Sequence, residues 1–453
     1  MTAQKEKPVV IMGGGPAGVF TACGLARLNI PVMIITRPRP FPAWEGLSER
    51  PYGSLQYFGF KEAVASIGPM VERTAHWNGT SQVQNREYIL NRHAFDMALL
   101  QDARHHGVQV SDGRIDKTER LAKGKGWQVS YMTRQGPETV TTDFLVEARG
   151  RESKMGRKQM PGEGVFITAP ATSALLKSYH VPSSLAAATS VASFPKGWAW
   201  YLRDGLGMAI LQIFLSSEKG ELPPKADLGH HFSQMIALIP EATEWLRDAR
   251  PHDSIVSVRS AAAAKTLPVG GADFLVVGDG ALALDPLSGN GIFYALGGGL
   301  AAAPVINTLL NRPKNGDLAL KFYQERLDFS FKSGCIMGRE FYAAETRWPE
   351  ENFWKARSHW PLGEETSHPD PLSMPAKICK KPVVKEGYIA LEDVIVTADH
   401  PRGIWMLDGV PLAALAALLK SGSRKDHDNA VALGTAIEDI AQARAWLMSR
   451  HLI

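Results

Sequence analysis

Val9–Thr36 reads VVIMGGGPAGVFTACGLARLNIPVMIIT, and the order of residue types in it decides the fold. Pro8–Met12, largely β-branched, predicts a short strand that runs into three glycines. Ala17–Leu28 predicts a helix with small residues where it would meet a sheet, and Val32–Ile35 predicts a second strand. Strand, glycine turn, helix and strand in succession open a parallel α/β sheet. Gly13, Gly15 and Gly18 form G-x-G-x-x-G, with Pro16 and Ala17 inside it. At this spacing Gly13 serves the tight turn, Gly15 the close approach of a pyrophosphate and Gly18 the packing of helix on strand. The helix N-terminus adds unpaired N–H groups and roughly 0.3–1 kcal/mol of attraction for an anion, so further contacts are required. The acidic residue that usually meets a ribose at the end of the second strand is replaced by Thr36, followed by Arg37. Thr36 keeps one hydrogen bond for that ribose, and Arg37 is placed to reach a phosphate or stack on adenine.

The rest of the composition bounds the class. The chain has 453 residues, 45% of them hydrophobic and 21% charged, which is enough for two or three globular domains. A formal charge of +4 scattered along the chain argues against nucleic acid or an acidic membrane surface as partner. Cys23, Cys335 and Cys379 are too few and too far apart for a disulfide framework or a zinc site. The thirteen His residues show no ligand spacing, so no metal is expected. The N-terminus lacks the pattern of a signal peptide, and the apolar runs are short for a membrane span. A soluble, cytoplasmic protein is the expectation.

A second glycine turn lies far downstream in GDGALALDPLSGNG, residues 278–291. Phe274–Val277 predicts a buried strand with Asp279 at its carboxyl end, and IFYALGGGLAAAPVINTLL predicts a closely packed helix after Gly291. Four pieces in this order, GGGPAG (13–18), YILNRHAFDMALLQDA (88–103), DFLVEARGRES (143–153) and GDGALALDPLSGNG, resemble the flavin-dependent monooxygenase and halogenase superfamily. The resemblance implies FAD held by both ends of the chain. Asp279 then hydrogen-bonds the ribityl chain, Pro286 lies against the isoalloxazine, and the Gly289–Asn290–Gly291 backbone donates to its pyrimidine end. Arg50 and Arg92 match basic positions that contact FAD, and Val110 matches a strand residue beside adenine. No second G-x-G-x-x-G marks a separate NAD(P)H domain, and no Cys pair marks a disulfide reductase. Where aromatic hydroxylases of the superfamily carry Asp–Gly, this chain has Arg149–Gly150, so the expected electron source is either NAD(P)H or a separate flavin reductase.

The expected architecture is α/β: a Rossmann-like FAD-binding domain with an inserted β-sheet substrate domain and a small α+β C-terminal module. Residues 1–159 and 261–361 form the two FAD-binding parts, the second with a helical extension. Residues 160–260 form the substrate sheet, 362–377 a linker and 378–453 the module. GWAWYLRDGLGMAILQIFL predicts two strands around the turn RDGLG, with Trp198, Trp200 and Leu202 on one face. The two tryptophans either line the substrate pocket or pack behind the flavin. They partly resemble a halogenase signature, but Leu202–Arg203 stands where Ile–Pro would be, and the lysine that relays hypochlorous acid has no equivalent. FYAAETRWPEENFWKARSHWP (341–361) predicts a helical segment rich in aromatic residues. In the C-terminal module, EDVIVTADHPRGIWML predicts a hairpin and VPLAALAALLKSG a short helix, with one longer helix in DNAVALGTAIEDIAQARAWLMSRHL. Ten Lys/Arg against nine Asp/Glu from Pro375 onward exclude a phosphate-binding face there.

Within the superfamily the whole arrangement resembles the peptidyl-tryptophan dihydroxylases that build cysteine tryptophylquinone in quinohemoprotein amine dehydrogenase. That resemblance implies O2 chemistry through a flavin C4a-hydroperoxide on a tryptophan in a peptide or protein, alongside a radical-SAM crosslinking enzyme. The protein's part is then position and water exclusion, and no side chain is singled out as acid or base. A hydroxylase or halogenase of a free aromatic, a reductase of isoprenoid lipid and a redox-silent flavoprotein-fold escort are the other readings.

Overall fold

The computed structural model describes residues 7–39, 43–121, 126–153, 165–218, 220–423 and 425–453. Strand Val9–Met12 is buried along its whole length and lies inside a six-stranded sheet. The order across this sheet is Gly270–Gly271, Phe274–Val276, Leu145–Glu147, Val9–Met12, Val32–Thr36 and Gln109–Asp112. All neighbours are parallel except the short first strand. A parallel sheet needs both faces covered. Helix Pro16–Arg27 and helix Gly291–Asn311 pack together on one side, and they approach closely because their contact is made of small residues. A Cβ placed on Gly24 would stand 2.7 Å from the Ala303 methyl, and one on Gly299 would stand 2.7 Å from the Ala17 carbonyl oxygen. The other face is closed by Trp127, Val129 and Tyr131, from the three-stranded sheet Arg114–Arg120, Trp127–Thr133, Gly136–Thr142.

The second large sheet has nine strands. Its main path runs Arg250–Pro251, Thr172–His180, Met208–Ser216, Gly197–Arg203, Ala188–Phe194, Met70–Trp77, Thr80–Asn91 and Trp44–Leu47, and Ser257–Ser260 pairs beside Thr172–His180. The hairpin around Asp204–Gly207 forms as expected, with Gly197↔Leu215 and Arg203↔Ala209 in register. Residues 44–91 also belong to this sheet, through the parallel pairing Thr189↔Arg73, although the sequence located the sheet within 160–260. Local periodicity identifies strands but not a partner more than a hundred residues away. Both faces of its central strands are buried. Trp198, Trp200 and Leu202 join one core, while Ala199 and Tyr201 join the other with Phe232 and Ile239.

The chain divides into two compact units, residues 1–303 with 327–363 and residues 304–326 with 364–453. The division passes through helix Gly291–Asn311 at Pro304. Residues 304–326, expected with the FAD-binding part, therefore group with the C-terminal residues: Asn307 Nδ2 donates to Gly387 O at 2.8 Å, and Ile389 N–H to Thr308 Oγ1 at 2.9 Å. Residues 362–376 contain no helix or strand. The C-terminal hairpin pairs Lys377–Lys385 with Tyr388–Val396, upstream of the expected one. Its turn residues Glu386 and Gly387 both have positive φ, 51° and 76°, which matches the twist of a two-residue hairpin. The expected downstream arm is reduced to a single bridge, Ile395↔Ile404. The predicted short helix is Leu412–Lys420. The predicted long helix is two, Asp426–Leu433 and Ile437–Ser449, because Gly434 ends the first in a left-handed conformation at φ 67°. The aromatic segment 341–361 is likewise split, between the end of helix Gly316–Ala343 and the short helix Asn352–Ser358.

Candidate functional site

Two turns meet at the carboxyl ends of the parallel strands, where open α/β sheets bind ligands. Gly13 has φ 118°, and a Cβ there would stand 2.5 Å from Ala148 O. A Cβ on Gly18 would stand 2.2 Å from Gly13 O. Gly15, between them, has nothing within 4 Å of its would-be Cβ. Two glycines are thus demanded by the chain's own packing, and the third faces open space. Helix Pro16–Arg27 has no side-chain cap, so its first N–H groups remain available to an anion. Gly14 N–H donates to Thr36 Oγ1 at 3.0 Å and the Thr36 hydroxyl donates to Arg37 O at 3.5 Å, so the Thr36 side chain already holds the loop. Arg37 follows at the exposed end of the strand, and Val110 lies beside Ile34 on the next strand.

The second turn abuts the first. Gly278, at φ 61°, lies so close to helix 16–27 that a Cβ would stand 2.8 Å from the Ala17 methyl. Asp279 follows, with a side chain 46% exposed to the crevice and Arg151 Nε 3.6 Å from its Oδ2. Burial of its surroundings pushes the Asp279 carboxyl above the usual range, and Arg151, Arg92 and Arg39 oppose that rise. Arg151 also donates to Ala262 O at 2.6 Å, so it pins the Gly150 turn to two other segments. A cavity of about 80 Å³ opens here, lined by Gly150, Arg151, Ser153, Thr266 and Asp279. Among the described residues, Ser153 Oγ is buried in it without a hydrogen-bond partner.

Arg92 is 8% exposed and committed to the protein, with Glu45 at 2.5 Å and Asp96 at 2.9 Å. Burial works against its charge, but Glu45 and Asp96 outweigh burial and raise its pKa. Arg50 is exposed at the start of helix Glu49–Tyr57. Arg149 turns back onto the fully buried Glu147, donating through Nε at 2.9 Å and Nη2 at 2.5 Å.

Past Asp279, the loop 285–291 enters helix 291–311. Asp285 Oδ1 accepts Leu287 N–H at 3.0 Å, fixing the turn that Pro286 opens, and Gly289 adopts φ 63°. Gly289 N–H is taken by Pro286 O at 2.9 Å and Asn290 N–H by Ser288 Oγ at 3.4 Å, which leaves Gly291 N–H as the first donor of the helix. Gly291 is eight residues, or ~12 Å of helix, from the Gly299 contact with Ala17. The loop and the first glycine turn thus belong to one crevice.

The sequence reading did not find the group that holds this loop. Tyr342 OH donates to Asp285 at 3.0 and 3.1 Å and accepts Trp198 Nε1–H at 3.2 Å. Burial raises the Asp285 carboxyl, while the Leu287 and Tyr342 hydrogen bonds lower it. Tyr342 was legible only as one of six aromatic residues in 341–361. Trp198 and Trp200, candidates for the pocket wall, are 3% and 8% exposed and packed in the core, Trp198 stacked on Phe214 at 3.8 Å. Trp200 Nε1 donates to Glu87 at 3.4 Å. Among the described residues no three His, Cys, Asp or Glu side chains gather as a metal site. One described helix, Gly291–Asn311, is long and apolar enough to cross a membrane, and 67% of its apolar window is buried inside the protein.

An unfilled glycine position, an orphaned buried hydroxyl and an open carboxylate in one crevice fit a dinucleotide whose far end reaches the 285–291 loop. The comparisons agree. The tryptophan halogenase family matches residues 44–369. A solved structure of the peptidyl tryptophan dihydroxylase QhpG, essential for tryptophylquinone cofactor biogenesis, is 34% identical with a TM-score of 0.81, covering 99% of this chain and 100% of QhpG. LodB of Marinomonas mediterranea, described as an FAD-dependent oxidoreductase, is 25% identical over 77% of this chain and 96% of its own. A tryptophan 2-halogenase of Chondromyces crocatus is 26% identical over 80% of this chain and 73% of its own. The chain belongs to the tryptophan halogenase family, and it is a flavin-dependent oxidoreductase whose cofactor is FAD.

Proposed function

We propose that this protein dihydroxylates a tryptophan side chain within a peptide or protein, as a step in maturing a tryptophan-derived quinone. The observation that carries the reading is the match to QhpG, which extends over 99% of the chain and so includes the C-terminal unit beyond residue 369. On this reading FAD bridges the two turns. The Gly13, Gly15, Pro16, Ala17 and Gly18 segment receives the pyrophosphate, Thr36, Arg37 and Val110 flank the adenosine, and Asp279 accepts from the ribityl hydroxyls. Pro286 supports the ring, and Gly289, Asn290 and Gly291 meet its pyrimidine end. Arg92 acts mainly through its charge, since its donors are engaged, and Arg50, exposed at the start of helix Glu49–Tyr57, is the second basic contact of this reading. Reduced FAD supplies an electrophilic oxygen from O2. The chain orients it and excludes water, with Trp198, Phe214 and Leu202 closing the apolar face beside the loop. Attack by an electron-rich indole carbon requires position rather than an acid or base. NAD(P)H or a separate flavin reductase is the electron source.

The test is incubation with reduced FAD, O2 and a crosslinked tryptophan-bearing peptide, followed by mass spectrometry. Gain of two oxygen atoms on tryptophan is the expected result. Gain of chlorine from added halide would replace this reading with the halogenase that the Chondromyces relative represents, and turnover of free aromatics with the peptide untouched would replace it with a small-molecule hydroxylase.

A further inference from the structure

The nine-stranded sheet turns a largely apolar face toward the 285–291 loop, and one ion pair interrupts it. Arg73, on strand Met70–Trp77, has a side chain 22% exposed and shares this face with Ala75, Val71, Trp198 and Trp200. Its Nη1 is 3.7 Å from Glu87 Oε2, close enough for an ion pair but too long for a hydrogen bond. Its Nε is buried with no partner, and among the described residues the guanidinium makes no hydrogen bond, although it carries five N–H donors. Glu87, 6% exposed, is steadied from the other side by Trp200 Nε1–H and packs where a Cβ on Gly46 would collide with it. A Cβ on Gly289 would stand 3.8 Å from Arg73 Nη1. The buried Nε–H of a guanidinium this close to Gly289 carries a cost that a ligand acceptor would remove.

We propose that Arg73, backed by Glu87, is a cofactor-contacting residue that binds the pyrimidine edge of FAD and favours its reduced, negatively charged form. The inference rests on the reading of Ser288–Gly291 as the loop at the flavin ring. Positive charge at that edge stabilises the electron pair added on reduction, because reduction places negative charge on the same edge. The Glu87 carboxylate tempers the effect, so the two residues act with opposite sign.

Anaerobic titration with oxidised and with reduced FAD tests this. In Arg73→Met, reduced FAD loses about tenfold in affinity relative to oxidised FAD, which for a two-electron couple is about 30 mV toward more negative potential. Arg73→Lys recovers most of the loss, and Glu87→Gln shifts the ratio the other way. The double variant Arg73→Met/Glu87→Gln avoids a stranded buried carboxylate and keeps the test open if the single variant misfolds. Equal weakening of both redox forms, or no change in their ratio, overturns the proposal. So does a loss confined to peptide binding, which would make Arg73 a substrate contact. Asp279→Ala, run in parallel, separates the two levels. If it weakens FAD while Arg73→Met leaves the ratio unchanged, the loop reading stands and this inference falls. If neither variant affects FAD, both fall.

Discussion

Gly298 and Gly299 are adjacent in helix 291–311, yet their replacement by alanine has opposite expected outcomes. A methyl on Gly299 would stand 2.7 Å from Ala17 O, 2.9 Å from Phe20 Cβ and 3.1 Å from Thr21 N, whereas one on Gly298 meets nothing within 4 Å. Both changes gain ~0.8–1.0 kcal/mol of helix propensity. At Gly299 the obstacle is the backbone of helix 16–27, which cannot swing aside as a side chain would, and overpacking costs ~1–3 kcal/mol. Gly298→Ala therefore stabilises by about 1 kcal/mol, and Gly299→Ala destabilises by up to ~2 kcal/mol. The larger unit has roughly 340 residues, whose unfolding entropy gives about 0.7 kcal/mol per degree, so calorimetry should read about +1 °C and down to about −3 °C. The displaced helix begins at the glycine turn, so FAD affinity, followed by flavin fluorescence, falls about tenfold in Gly299→Ala and stays unchanged in Gly298→Ala. A Gly299→Ala protein as stable as Gly298→Ala, with intact FAD binding, would refute the close approach of the two helices.

Asp279→Ala removes a charge-assisted acceptor from the crevice, so FAD retention on gel filtration drops by ten- to hundredfold, about 1.5–3 kcal/mol, and undiminished retention counts against a ribityl role. Arg149→Met strands the fully buried Glu147 carboxylate and costs about 3–5 kcal/mol, read as a lower midpoint in urea. Tyr342→Phe deprives Asp285 of its hydroxyl donor and orphans Trp198 Nε1–H, costing about 2 kcal/mol at neutral pH. This loss depends on pH with a definite sign. Asp285 has its carboxyl raised by burial, so its contribution to stability is fullest in acid and declines as pH rises through the folded-state value. Removing the hydroxyl raises that value further, so the melting-temperature deficit is larger near pH 7 than below about pH 4, and a deficit independent of pH would argue that Asp285 stays neutral.

The glycine turn, its flanking strands and the GDGALALDPLSGNG piece were legible because each constraint is local: a positive φ at Gly13, a carboxylate after a strand, a loop opening a helix. The hairpin 197–216 was legible for the same reason. What stayed hidden was long-range pairing. Nothing near Arg73 or Glu87 indicates that residues 44–91 will lie beside residues 188–194, and neither side chain belongs to a sequence motif. Arg149 stood out as an odd substitution, but its partner two residues earlier reads in sequence as one more acid in a buried strand. Tyr342 was grouped with its aromatic neighbours, and only the fold reveals that its hydroxyl, not its ring, connects to the loop. In the C-terminal hairpin, Glu386–Gly387 was the missed signal, a two-residue turn between runs that alternate poorly.

The alternation along strand Gly197–Arg203 has a practical consequence for anyone redesigning this enzyme. Parity sorts its positions into two classes: changes at 198, 200 and 202 are felt in the core against which Leu287 of the 285–291 loop packs, while changes at 199 and 201 are felt in the core with Phe232 and Ile239. Even-numbered replacements in this strand should therefore disturb the setting of that loop along with stability, and odd-numbered ones stability alone.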